Sequence, residues 1–192
     1  MKFVGIHGRA TAGKDTAGAV FIRAGYQRLS FADALKECVA VIAGEPSENF
    51  FSMEGKEGFS PVLNTTRRVA LQNVGNSMRQ VLDEEIWIRR ALAGWDQAGR
   101  PPTVITDVRY PNEAAAIRGM GGIIIQILRP GASGLTGEAQ NHVSEVPLNY
   151  NLIDVDIYND GTIGELNHEV AKVVTMLGEG DWRDCNPFRK TA

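Results

Sequence analysis

Short apolar runs along the chain alternate with longer stretches in which apolar positions return every three or four residues. Bounded by turn-forming residues, the runs read as strands at 2–7, 26–30, 103–107, 122–128 and 152–158, and three of them are rich in Val and Ile, as strands covered on both faces are. The 3.6-residue spacing predicts helices at 14–24, 32–43, 65–81, 86–98, 112–120 and 163–176. The intervals between strands fit crossovers, so the expected class is α/β, with a five-stranded parallel sheet flanked by helices.

Three stretches fall outside that alternation. Residues 44–64 are rich in Gly, Pro, Ser and Glu and carry three phenylalanines, which marks a mobile or inserted segment on the ligand face. Phe50, Phe51 and Phe59 either pack a small lobe or line a base pocket. Residues 131–145 form a lid-like loop, Gly-, Ser- and Thr-containing up to 138. Residues 178–192 show no period and read as a tail whose Trp182 and Phe188 can dock on the body. One domain over 1–177 is the expectation for 192 residues, with 44–64 as its insert.

Composition narrows the function classes. A net charge of −3, from 20 basic and 23 acidic residues without a long basic run, argues against a nucleic-acid polymer as partner. Arginines recur instead near predicted element ends, at Arg67, Arg68, Arg79, Arg89, Arg90, Arg109 and Arg129, which suits small phosphorylated ligands. Cys38 and Cys185 lie far apart with no CxxC partner, so neither a zinc site nor a disulfide framework is indicated. No stretch reaches membrane-spanning length and no leader pattern opens the chain, which leads to the expectation of a soluble cytoplasmic protein.

The strongest chemical signal is Gly8-Arg9-Ala10-Thr11-Ala12-Gly13-Lys14-Asp15-Thr16, placed between a predicted strand and a predicted helix. Its glycines let successive backbone N–H groups turn inward around phosphate oxygens, the helix adds its positive end, and Lys14 can reach the outer phosphates of a nucleoside triphosphate. A plain Gly-rich turn with a surface lysine is the bland alternative. One position departs from the usual pattern: Asp15 stands where Ser or Thr normally gives a hydroxyl to magnesium, and Thr16 follows one place later. Asp15 either holds the metal through water or caps the helix, and Thr16 either meets the metal or bonds phosphate.

Open parallel sheets bind ligands at the carboxyl ends of their strands, so residues just past each predicted strand are the next candidates. Asp107 ends a buried run and can orient magnesium-bound water or accept a bond from the loop; Arg109 can offset charge during phosphoryl transfer. Their structural alternatives are an N-cap for Asp107 and a surface pair with Glu113 for Arg109. Past the second strand, Lys36 can bind an acceptor phosphate, and Asp33 either orients the acceptor or caps a helix. His142-Val143-Ser144-Glu145 has neither triad geometry nor enough ligands for zinc, and reads as a bracing turn.

Taken together, these motifs resemble the deoxynucleoside monophosphate kinases encoded by tailed bacteriophages. The resemblance rests on Gly8 to Thr16, Ser30-Phe31-Ala32-Asp33 with Leu35-Lys36, Leu71-Gln72 with Gly75 and Arg79, Trp87, Asp107-Val108-Arg109 with Asn112-Glu113, Arg129-Pro130, His142 with Ser144-Glu145, and Asn159-Asp160-Gly161-Thr162. It implies a P-loop nucleotide kinase with mobile acceptor-binding and lid segments that transfers the terminal phosphoryl group of ATP, with Mg2+, to a deoxynucleoside monophosphate. By that likeness Lys14, Arg109 and Arg129 act on the transferring phosphates, Asp33, Lys36, Arg68, Gln72 and Arg79 meet the acceptor, and Asn159, Gly161 and Thr162 skirt the adenine. Asp15, Thr16 and Asp107 would attend the metal, directly or through water. The likeness also implies a host-cell cytoplasmic location and allows a homodimer. Two other readings stay open: a small-molecule kinase similar to dephospho-coenzyme A kinase, with Asp33 as base, and a nucleotide-dependent switch with no second substrate.

Overall fold

The computed structural model describes residues 3–132 and 147–178. The first strand, β1 (Phe3–His7), is buried along its whole length because it lies at the centre of the sheet. Helix α1 (Lys14–Arg23) leads to β2 (Gln27–Leu29), and α2 (Asp33–Ala43) follows. The 44–64 stretch then builds two short helices, α3 (Glu48–Phe51) and α4 (Met53–Glu57), and the start of a small hairpin, β3 (Phe59–Ser60) with β4 (Thr65–Thr66). Helices α5 (Arg67–Val81) and α6 (Ile86–Gln97) precede β5 (Thr103–Val108), α7 (Pro111–Gly119), β6 (Ile123–Leu128), β7 (Val155–Tyr158) and α8 (Ile163–Gly178).

The sheet runs β2-β5-β1-β6-β7, and every pairing in it is parallel. Its period-2 alternation sends side chains to two separate cores. Phe3, Ile105 and Ile124 face the layer that contains α2, α5, α6 and α7; Val4, Val104, Ile123 and Ile125 face α1 and α8. The five expected strands and the parallel arrangement are therefore present.

Boundaries differ where a local bond overrides periodicity. The last expected strand, 152–158, shortens to Val155–Tyr158 because Tyr150–Leu152 coil into a 3-10 turn, with Asn149 accepting from the Asn151 amide. The expected helix at 65–81 begins only at Arg67, since Thr65 and Thr66 are taken by the hairpin and the Thr66 hydroxyl caps the helix through the Val69 amide at 3.3 Å. The 44–64 insert is ordered rather than a plain loop: Ser52 caps α4 through the Gly55 amide, and Glu45 accepts from both the Ser60 hydroxyl and Arg67. Elements of four or five residues are too short to show a period. Of its phenylalanines, Phe50 is fully buried in the core, Phe51 lies against Lys36 and Phe59 is exposed; Phe50 alone packs inside, and none of the three lines the pocket described below.

Candidate active site

The carboxyl ends of all five parallel strands meet along one edge, and the chemically interesting residues gather there. At the end of β1 the His7 ring is buried between Val108 O, 2.9 Å from Nδ1, and the Leu148 amide, 3.4 Å from Nε2. That pair of partners puts the ring proton on Nδ1 and ties β1 to β5. The loop then turns sharply. Gly8 (φ 155°) and Gly13 (φ 103°) have positive φ, and a Cβ would stand 2.8 Å from Ile127 O at the first and 2.7 Å from Asn159 Nδ2 at the second. Thr11 also takes a left-handed conformation, and the Ala12 amide closes a turn on Arg9 O at 3.2 Å.

Gly13 is the N-cap of α1, and no side chain caps that helix, so its first amides are directed at the loop with the positive end of the dipole. Lys14 Nζ donates to Arg9 O at 2.7 Å, which lays the ammonium back over the loop. Two distant residues brace the loop: Asn159 Nδ2 donates to Ala12 O at 2.8 Å, and Arg129 Nη1 donates to Thr11 O at 3.2 Å. A concavity beside it is lined by Gly8, Arg9, Ala12 and Arg129 among others. Asp15 is exposed in the first turn of α1 with Thr16 beside it, and Thr106 Oγ1 donates to Asp15 Oδ1 at 3.2 Å, aiming the carboxylate along the end of β5.

A second pocket opens next to Asp107. Its wall combines Lys36, Lys56, Arg68, Arg79 and Arg109 with the amides of Gln72 and Asn76 and the apolar Phe31, Leu35, Leu71 and Trp87. Helix α5 supplies Arg68, Leu71, Gln72, Gly75, Asn76 and Arg79, an i, i+3, i+4 series that places one face toward the pocket. Thus Arg68 and Arg79 do share the site with Lys36. Trp87 is fixed through its Nε1, which donates to Gly75 O at 3.2 Å.

The acids of this pocket, and Asp33 outside its lining, are already engaged. Asp107 accepts from Ser30 Oγ at 2.7 Å and from the Phe31 and Ala32 amides at 3.2 and 3.0 Å, so it holds the turn before α2 rather than capping the helix that follows it in sequence. Asp33 receives Arg28 in a two-pronged bond at 2.7 and 3.1 Å and Lys36 at 2.9 Å. Burial opposes its ionisation, but the bonds from Arg28 and Lys36 outweigh it and hold the carboxyl at about 2. Glu113 pairs with Arg79, not with the Arg109 side chain: Arg79 Nη2 lies 2.5 Å from Oε1, while Oε2 accepts the Arg109 and Tyr110 amides at 2.7 and 3.0 Å. Burial raises the Glu113 carboxyl above the ordinary range despite these bonds. The Arg79 guanidinium also lies 4.1 Å over the Tyr110 ring and is closed off by Glu84 O at 2.9 Å. Arg68 is paired with Glu57 at 2.6 Å.

The residues after β7 make bonds within the protein. Asn159 is buried as the brace just described. Thr162 and Glu165 exchange bonds that cap α8, with Glu165 Oε2 accepting the Thr162 amide at 2.7 Å and Thr162 Oγ1 accepting the Glu165 amide at 3.2 Å. Gly161 is exposed, and neither it nor Thr162 lines the two cavities. His142, Ser144 and Glu145, most of the lid-like stretch and the tail with Trp182, Cys185 and Phe188 lie outside the described residues.

Several pocket residues are not singled out by sequence reasoning. Asn76 carried a usable signal, since it continues the α5 stripe one turn beyond Gln72. Lys56 and Tyr110 carried none: each joins the pocket only once separate elements are packed together. Among the described residues no three His, Cys, Asp or Glu side chains form a cluster that could hold a metal ion by themselves, and no helix is long and apolar enough to cross a membrane.

Comparison with known proteins agrees with this geometry. The family profile of deoxynucleotide monophosphate kinases matches residues 60–170. A protein of Acanthamoeba polyphaga mimivirus, provisionally described as a deoxynucleotide monophosphate kinase, is 31% identical over 193 aligned residues, 91% of this chain and 96% of its own. Among solved structures, a dephospho-CoA kinase from Campylobacter jejuni superposes with a TM-score of 0.56 at 15% identity over 93% of this chain and 98% of that one, a likeness of fold.

Proposed function

The chain belongs to the deoxynucleotide monophosphate kinase family, and from that premise we propose that it transfers the terminal phosphoryl group of ATP to a deoxynucleoside 5'-monophosphate, giving the diphosphate. The observation that carries the reading is a pairing on one sheet edge: the uncapped N-terminus of α1 behind the glycine turn after β1, and beside it a pocket with five cationic side chains, apolar walls and two amides. A base and a phosphate on one small molecule match that mixture.

Phosphoryl transfer asks little covalent chemistry of a protein, so alignment and charge neutralisation carry the rate. In this reading the loop amides and Lys14 hold the donor phosphates, and Arg129, already bonded to the loop at Thr11 O, closes that side. Lys36, Arg68 and Arg79 receive the acceptor phosphate, while Arg109 spans the boundary between the two sites. Gln72 and Asn76 can bond base edges, and Trp87 and Leu71 supply apolar cover. Mg2+ fits as an ion carried largely by phosphate oxygens and water, with Asp15, Thr16 and Asp107 able to offer one or two further oxygens, directly or through water. When bound it neutralises charge on the donor phosphates.

A hydroxyl acceptor, as in a dephospho-coenzyme A kinase-like reaction, would need a base. Asp33, the natural candidate, is held at about 2 by Arg28 and Lys36, and a carboxylate that weakly basic is a poor proton acceptor. A coupled assay with ATP, Mg2+ and each of the four common deoxynucleoside monophosphates tests the proposal. Turnover of at least one is expected; turnover of dephospho-coenzyme A alone, or of no second substrate, would overturn it.

A further inference from the structure

The insert delivers one cation to the acceptor pocket that motif reading passes over. Lys56, in the last turn of α4, lines the pocket together with Lys36, Arg68 and Arg109. Its cationic neighbours are matched: Lys36 lies 2.9 Å from Asp33, Arg68 2.6 Å from Glu57 and Arg79 2.5 Å from Glu113. Among the described residues no carboxylate lies within ion-pair distance of the Lys56 ammonium. Among the described residues, the charged groups that act on it most are Lys36 from α2, Arg68 from α5 and Arg109 from the turn after β5, with Asp15 of α1 as the opposing acid. Burial first, then Lys36 and Arg68, lower it to about 8, with Asp15 only partly opposing them.

A half-buried ammonium among like charges works against folding, so its placement calls for a reason other than stability. Nor is Lys56 needed to dock α4. Ser52 caps that helix, Arg67 Nη1 donates to Gly55 O at 3.0 Å, and Glu57 holds Arg68. The position is thus built by its neighbours and presented to the pocket.

We infer that Lys56 is an acceptor-phosphate ligand carried by the insert, with the dianionic phosphoryl group of the monophosphate supplying the counter-charge that the pocket lacks around it. The inference rests on the monophosphate kinase reading and deepens it. A dianion beside Lys56 favours the charged amine, so acceptor binding above pH 8 draws a proton from solvent onto Nζ. The balance is simple: free amine plus one buffer proton gives ammonium, and no bond of the substrate changes. Below pH 7 the amine is already charged and binding takes up nothing there.

The test is calorimetric titration of the full chain with dTMP and dGMP in turn at about pH 8.5, in two buffers of different ionisation heat. The monophosphate is then fully dianionic and contributes no proton of its own. Wild type is expected to take up roughly 0.75 proton per acceptor bound, the fraction of an amine with a pKa near 8 that is unprotonated at that pH. Lys56→Arg keeps affinity within about threefold and takes up none, because guanidinium is charged throughout. Lys56→Met raises the acceptor KM about tenfold or more and leaves the ATP KM unchanged. Equal proton uptake in wild type and Lys56→Arg, or an unaltered acceptor KM in Lys56→Met, overturns the inference while the kinase reading stands. If Lys56→Met does not fold, the proton count in Lys56→Arg decides. Absence of binding and turnover with every monophosphate, while ATP still binds, instead overturns the kinase reading and the inference with it.

Discussion

The side-chain amide of Asn159 donates to the carbonyl of Ala12 at 2.8 Å across 147 positions of sequence, joining the end of β7 to the loop after β1. Asn159 is buried, and the same amide fills the space where a side chain on Gly13 would have to go. Asn159→Ala removes the donor and leaves a buried carbonyl without a partner, so a loss of about 1–3 kcal/mol is expected. Urea denaturation reads the stability, and the ATP KM should rise with it because the loop loses its brace. Gly13→Ala should damage the same pair from the other side. An Asn159→Ala protein of wild-type stability and ATP affinity would show that the bond does not support the loop.

Lys14 differs in kind from that brace. Its ammonium bonds a carbonyl of its own loop at an exposed site, so stability hardly depends on it. Lys14→Ala should retain the fold, as judged by circular dichroism and thermal melting, and lose at least about two orders of magnitude in kcat/KM, roughly 3 kcal/mol of transition-state stabilisation. Activity close to wild type would remove Lys14 from the reaction.

The Asp33 carboxyl makes acid sensitivity directional. Its folded pKa of about 2 lies below the ordinary 3.8, so its contribution to stability is complete above pH 4 and disappears as pH falls through 2. Asp33→Asn should therefore cost about 1–2 kcal/mol at pH 7, allowing for solvent screening of a partly exposed group, and almost nothing at pH 2. Denaturation curves across that interval measure the difference. A constant penalty at all pH values would mean that the Arg28 and Lys36 bonds are not the source.

Arg79 and Glu113 form the most enclosed ion pair of the described residues, with side-chain exposures of 11% and 3%. Glu113→Ala strands the guanidinium and two backbone amides, and a loss of about 3–5 kcal/mol is expected. Adding Arg79→Met should restore part of that loss, since the unpaired charge is gone, although acceptor binding would stay poor. A double-mutant cycle with additive single effects would contradict the coupling.

How much of this was legible in the chain differs from residue to residue. Loop residues 8–16 are contiguous, and their chemistry depends on local backbone turns, so glycine spacing and a following lysine suffice to read them. Arg68, Gln72 and Arg79 were readable once α5 was assigned, because a helix places i, i+4 and i+11 positions on one face. Asn159 was legible as a residue at the end of a strand, but its bond to the loop carbonyl was not, since that bond depends on how β7 lies against β6 and β6 against β1. Asp107 was likewise placed at the right edge, yet the turn it holds belongs to residues 30–32, more than seventy positions away, brought near because β2 and β5 are neighbours.

The sequence by itself determined the five strands of the main sheet, most of the helices and the glycine turn after β1, since these follow from hydrophobic periods and from conformations that only certain residues adopt. Tertiary structure decided strand order, the partners of Asp33, Asp107 and Glu113, and the pocket that gathers Lys36, Lys56, Arg68, Arg79 and Arg109 from four separate segments. The physical reason is range: a backbone turn is specified by a few adjacent residues, whereas a charge finds its counter-charge only after packing has brought distant elements together.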